Sequence, residues 1–217
     1  MKFLKVLCKC GQEALQQTEA STPVSNESSA RQLFPALPRR FRDCHFDNSE
    51  PDEALRQVQS YANAWKEQFS TGQNLLLWGA PGTGKTHAAA CLVNALIHQG
   101  CTATMTGIRE LKRNLATQAY SDSAACMGAY IQADLLILED LGVGDSTDYE
   151  LGLLYDLIDG RYREQRPIVI TTSLSPDQLR RINDLRLKQL LSRLLQTCTS
   201  VRFGCRNYRE QQHTKEG

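Results

Sequence analysis

Leu75-Leu76-Leu77-Trp78-Gly79-Ala80-Pro81-Gly82-Thr83-Gly84-Lys85-Thr86 decides the fold. The four apolar residues read as a strand and the glycines as a tight turn. The residues from Lys85 to Gln99 set Leu92, Val93, Leu96 and Ile97 on a helical period that Gly100 stops. The stretch fits GxxxxGK[ST] at every fixed position. Glycines let the backbone turn its N–H groups inward toward one anion, and the adjoining helix adds its positive end. That chemistry suits the phosphates of a nucleoside triphosphate. Lys85 would meet the β- and γ-phosphates, and the Thr86 hydroxyl would bind Mg²⁺. The candidate cofactor contacts are therefore Gly79, Ala80, Pro81, Gly82, Thr83, Gly84, Lys85 and Thr86, with the adjoining His87.

Working outward, strands and helices alternate. A helix is expected from Ser49 to Gly72: Ser49 and Asp52 resemble a capping box, Pro51 suits the first turn, and Leu55, Val58, Ala62, Trp65 and Phe69 share a face. Downstream of the loop come a strand at 101–105, a helix through Ile108, Leu111 and Leu115, and a further helix at 124–131. Leu135-Leu136-Ile137-Leu138 is apolar on both faces, as a central parallel strand is. A helix at 149–164, a strand at 168–172, one long helix at 176–195 and a last strand at 200–203 complete the pattern. It implies an α/β phosphate-loop NTPase: a parallel five-stranded sheet with helices on both faces.

Glu139 and Asp140 end the apolar strand, at the edge where open α/β sheets bind ligands. Two adjacent carboxylates there call for a cation or water. In phosphate-loop ATPases one acid helps to hold Mg²⁺ and the other handles the attacking water. Glu139 is assigned to the metal and Asp140 to the water.

With 217 residues the chain has room for one sizeable domain, and its net charge of +1 gives no global basic field for nucleic acid. Residues 1–33 read as a mobile N-terminal segment, polar and aperiodic from residue 17, and 34–217 as the core, opening with an extended arm at 34–48. No apolar run is long enough to span a membrane and the opening residues are too short for a signal peptide, so a cytoplasmic protein is expected. The eight cysteines are expected to be reduced thiols, several of them in core elements such as Cys91 and Cys101. Cys8 and Cys10 supply two of the four ligands that a zinc knuckle needs.

Phe69 to His87, Asp134 to Gly142, Leu154 to Tyr162, Pro167 to Ser175 and Ser192 to Cys198 together resemble the DnaC/DnaI-type helicase-loader ATPases of the AAA+ (ASCE) class, relatives of the IstB-type transposition ATPases. The resemblance spans roughly residues 41–209. It implies an ATP switch that engages a DnaB-type replicative helicase and places it on single-stranded DNA. It also implies residue roles. Arg193 matches the arginine finger that completes a neighbour's ATP site, so self-association is expected through it. Arg209 resembles the second sensor. Ser173 stands where the family has an Asn that senses the γ-phosphate, Glu139 where it has Asp, and Gln189 where it often has a further Arg. The Glu139 and Ser173 departures point to slow hydrolysis stimulated by DNA or a partner, and single-stranded DNA would track past basic side chains such as Lys112 and Arg113. The same core also supports a transposase-assisting ATPase and a non-hydrolysing ATP-binding adaptor. A small-molecule kinase fits less well, because no arginine-rich lid is evident.

Overall fold

Leu75, Leu76 and Leu77 are all buried, which a strand achieves only when both faces of its sheet are covered. The computed structural model describes residues 37–117, 120–142, 146–204 and Tyr208. Its strands are β1 (Asn74–Gly79), β2 (Ala103–Gly107), β3 (Leu135–Glu139), β4 (Ile168–Thr172) and β5 (Cys198–Phe203). They lie in the order β2-β3-β4-β1-β5, every neighbouring pair parallel. The register sets Leu76 between Ile170 and Ser200, and Ile137 beside Val169. The carboxyl ends of β1 and β3, which carry the phosphate loop and the acids, therefore stand at one edge of the sheet with β4 between them.

Eight helices of the described residues flank the sheet: α1 (Glu53–Asn63), α2 (Trp65–Thr71), α3 (Lys85–His98), α4 (Ile108–Ala116), α5 (Tyr120–Gln132), α6 (Asp148–Arg163), α7 (Pro176–Leu179) and α8 (Leu185–Gln196). On one face α1 and α3 pack with Trp65 against Leu75, Leu77, Ile137 and Val169. On the other, α4 to α8 pack against Leu76, Leu136, Leu138 and Ile170. Each fully buried Leu, Ile or Val contributes about 1.5–3 kcal/mol of apolar transfer free energy.

Several boundaries differ from the sequence reading. The helix expected over 49–72 starts only at Glu53 and breaks at Ala64, whose ψ of 17° leaves the helical well. Pro51 keeps Glu50 out of the helical region, so Asp52 becomes the N-cap and the hydroxyl of Ser49 is released for other partners. The helix expected over 176–195 is two. Ser175 forms a capping box with Gln178 at α7, and Asp184 accepts from Leu187 N–H at 2.8 Å to start α8. β2 begins two residues after Cys101, because Thr102 is tied to Asp134. Of the arm, residues 37–48 form two 3₁₀ turns and not an extended chain. The described cysteines Cys44, Cys91, Cys101, Cys126 and Cys198 are free thiols. Burial pushes the Cys198 thiol up to about 12.

At the amino edge of the sheet a buried arginine ties three elements together. Arg161 is fully buried. Its Nη1 donates to the carbonyls of Tyr130, Ile131 and Ala133 at 2.8, 2.9 and 2.8 Å. Its Nη2 donates to those of Asp134 and Pro167 at 3.3 and 2.6 Å. The cation thus sits at the carbonyl end of α5, where the helix dipole favours it. Burial and the neighbouring Arg166 draw its pKa down to about 9, which leaves it charged at neutral pH. Beside it, Asn74 accepts from Ile168 N–H and donates to Thr197 Oγ1, both at 2.8 Å, joining β1 to β4 and to the start of β5.

Candidate nucleotide site

β1 delivers the chain to a loop whose glycines answer different demands. At Gly79, φ is +148° and a Cβ would fall 1.9 Å from the Phe203 carbonyl oxygen of β5, so a side chain has no room. Gly82 and Gly84 have φ of +83° and +94°, and Gly84 is the N-cap of α3. The main-chain N–H of Tyr208 donates to Gly82 O at 2.9 Å. The Tyr208 ring lies 3.4 Å from where a Cβ on Gly84 would be. Thr83 Oγ1 donates to Ala80 O at 2.8 Å. Lys85, only 7% exposed, turns its Nζ back onto the carbonyls of Gly79 and Ala80, each at 2.8 Å. A phosphate anion is a stronger partner for an ammonium than either of these neutral carbonyls.

The acids face the loop. The Thr86 side chain, in the first turn of α3, acts on the Glu139 carboxyl at the end of β3 and favours its charged form. Burial pushes the Glu139 carboxyl above the usual range. The Thr86 hydroxyl opposes this, the Asp140 charge adds to it, and the Arg40 charge opposes it. Glu139 Oε1 is buried and has no hydrogen-bond partner among the described residues. Asp140 adopts φ of +51°, a left-handed conformation that Asp tolerates better than most residues. Thr171 and Thr172 of β4 fix this turn. Asp140 N–H donates to Thr171 Oγ1 at 3.1 Å, and Leu141 N–H to Thr171 O at 3.0 Å. Thr172 Oγ1 donates to Leu141 O at 2.6 Å while accepting from Leu174 N–H at 3.0 Å.

The fold thus gathers Lys85, Thr86, Glu139 and Asp140 at one edge. Ser173, directly after β4, is half-buried beside this network. The two threonines before it were missed by sequence reasoning, although polar residues ending an otherwise apolar strand are their signal. His87 points elsewhere: its Nε2 lies 2.7 Å from Ser49 Oγ and 3.6 Å from Cys91 Sγ. Arg193 is exposed on α8, on the sheet face opposite α3. Lys112 pairs with Glu150 at 3.2 Å, while Arg113 is exposed. Arg209, Cys8 and Cys10 lie outside the described residues. No helix of the described residues is long and apolar enough to cross a membrane.

Mg²⁺ is tested by the donor set itself. The buried, unpartnered Oε1 of Glu139 beside the Thr86 hydroxyl is an oxygen pair of the hard kind that this ion takes. The residues fit it.

Comparison with known proteins agrees with this geometry. A 34% identical stretch of 124 residues, covering 57% of this chain and 41% of the relative, is shared with a putative insertion sequence ATP-binding protein of Sinorhizobium fredii. The replicative helicase loader DnaC of Escherichia coli K12 is 23% identical over 146 residues, covering 65% of this chain and 60% of DnaC. The chain thus spans about 40–60% of the length of these relatives. Among solved structures, that of the DnaC helicase loader superposes with a TM-score of 0.65 at 23% identity, covering 76% of this chain and 99% of that one. The fold is accordingly that of an AAA+ phosphate-loop domain. The family model described as IstB-like ATP binding protein matches residues 24–216, and the chain belongs to that family.

Proposed function

We propose that the chain is a Mg²⁺-dependent ATPase switch that loads a DnaB-type replicative helicase onto single-stranded DNA. The observation that carries the ATPase part is the juxtaposition of Lys85, Thr86 and the orphaned carboxylate oxygen of Glu139. In this reading the loop amides and Lys85 hold the phosphates, and Thr86 with Glu139 holds Mg²⁺, which supplies charge neutralisation at the β- and γ-phosphates. Asp140, set by its left-handed turn beyond Glu139, orients the attacking water. Ser173 senses the γ-phosphate from beyond β4. Arg209 contacts the nucleotide of its own chain. Exposed Arg193 supplies a guanidinium to the site of a neighbouring copy.

For the partner, likeness to DnaC supports the helicase reading, whereas the IstB-like family and the insertion-sequence relative support a transposase in its place. A pull-down of the full chain with the host's replicative helicase, in ATP, in ADP and without nucleotide, separates the two. ATP-dependent retention is expected. If no state retains helicase but a transposase offered in its place is captured, the helicase reading is replaced by the transposition one.

A further inference from the structure

The phosphate loop is held from outside by a residue that its motif does not include. Tyr208 lies five residues beyond the end of β5. Its main-chain N–H donates to Gly82 O at 2.9 Å, and its ring lies 3.4 Å from where a Cβ on Gly84 would be. The hydrogen bond and the ring contact bracket Thr83. An outside hold matters there: Gly82 and Gly84 flank Thr83 at φ of +83° and +94°, and glycine leaves a backbone freer than any other residue does.

The bond to Gly82 O also fixes what the same peptide unit offers on its other side. No described peptide bond is cis, and in a planar trans unit the C=O and the N–H point in opposite directions. With Gly82 O turned to Tyr208, the Thr83 N–H is turned away from it. Thr83 is buried and its Oγ1 donates to Ala80 O at 2.8 Å. Among the described residues no acceptor takes its N–H. A buried N–H without an acceptor is costly, and at a helix end that favours anions a phosphate oxygen would satisfy it. We propose that Tyr208 is a positioning residue of the nucleotide site: its main chain holds the peptide between Gly82 and Thr83 so that the Thr83 N–H is set for a phosphate common to ATP and ADP. This rests on the nucleotide reading above.

The sequence allows a direct test. Gly204 followed by Cys205 permits ligation, so the full chain can be assembled from a 1–204 thioester and a synthetic 205–217 peptide. The amide between Asn207 and Tyr208 is either kept or replaced by an ester, which removes one N–H and leaves every side chain, Arg209 included, unchanged. Fluorescent ATP and ADP analogues are titrated in Mg²⁺ into both chains and into a ligated Tyr208→Phe chain. The ester chain should bind both analogues about fivefold more weakly at an unchanged urea midpoint, because the amides of such a loop cradle phosphates that the two nucleotides share. Tyr208→Phe, which keeps the N–H and the ring, should stay within about twofold of the amide chain. Ester binding equal to that of the amide chain, a loss confined to ATP, a loss matched by a lower urea midpoint, or a Tyr208→Phe chain as weak as the ester would overturn the role of Tyr208 while leaving the site intact. An amide chain that binds neither analogue would overturn the nucleotide reading, and this inference with it.

Discussion

The two edges of the sheet employ their charged groups differently. At the amino edge, Arg161 spends its four Nη hydrogens on five carbonyls, and Asn74 satisfies both β4 and Thr197. At the carboxyl edge, Lys85 rests on two carbonyls of its own loop, Glu139 keeps a buried oxygen without a partner, and Asp140 holds a left-handed turn. Unmet polar groups are costly. Apart from the buried, unpartnered Nε of Arg161, the amino edge is closed on itself and contributes to stability; the carboxyl edge leaves a carboxylate oxygen for a ligand to relieve. Among the described residues each edge holds one left-handed non-glycine residue, Gln165 and Asp140.

Breaking the closed edge should give the largest effect. Arg161→Ala leaves several buried carbonyls without donors and should destabilise the fold by about 3–5 kcal/mol, seen as a lower urea midpoint. A loss below about 1 kcal/mol would mean that water replaces the guanidinium. At the open edge, Lys85→Ala should abolish ATP binding in a calorimetric titration, a far larger change than its shift of the urea midpoint, because the ammonium is the charge that meets the phosphates. Retained tight binding would refute the site.

Glu139→Gln sharpens the contrast by sign. The folded pKa of Glu139 lies above its ordinary value of 4.5, so its contribution to stability is present below that value and is lost as pH rises through the folded one. The nucleotide-free variant should therefore lack a decline in stability that wild type shows above pH 4.5, while its hydrolysis rate falls. Parallel stability–pH curves would show that Glu139 does not titrate abnormally. The smallest stability effect is expected from exposed Arg193: Arg193→Ala should stay within about 0.5 kcal/mol of wild type. ATP affinity should also be retained, but the rise of specific hydrolysis rate with protein concentration should be lost. An unchanged rise removes its role in a neighbouring site.

What was legible in the sequence tracked apolar periodicity and glycine spacing. β4 matches its expected residues, and the phosphate loop and acidic strand end stand together as read. Such signals are local: a short run that is apolar on both faces is at home only in a sheet covered on both sides. The breaks at Ala64 and before Asp184 were hidden because apolar spacing continues across them; the Asp184 cap starts α8, whereas Ala64 carries no side-chain cap. Asn94 and Arg161 were invisible on different grounds, each a polar residue with partners distant in sequence, so within its own window it looks like a solvated position; Ser49 was read as a helix cap, and its contact with His87 was not foreseen. The threonines of β4 occupy a middle ground, marked by polarity but not by partner.

Gly79 has a bearing on how such a loop changes over evolutionary time. Its lack of a side chain is demanded by the Phe203 carbonyl of the neighbouring strand, not by a phosphate. A lineage that abandoned nucleotides would be free to replace Lys85 but would still be held to glycine at position 79. In divergent copies of this gene, the lysine and not the first glycine of the motif therefore records whether the switch is still in use.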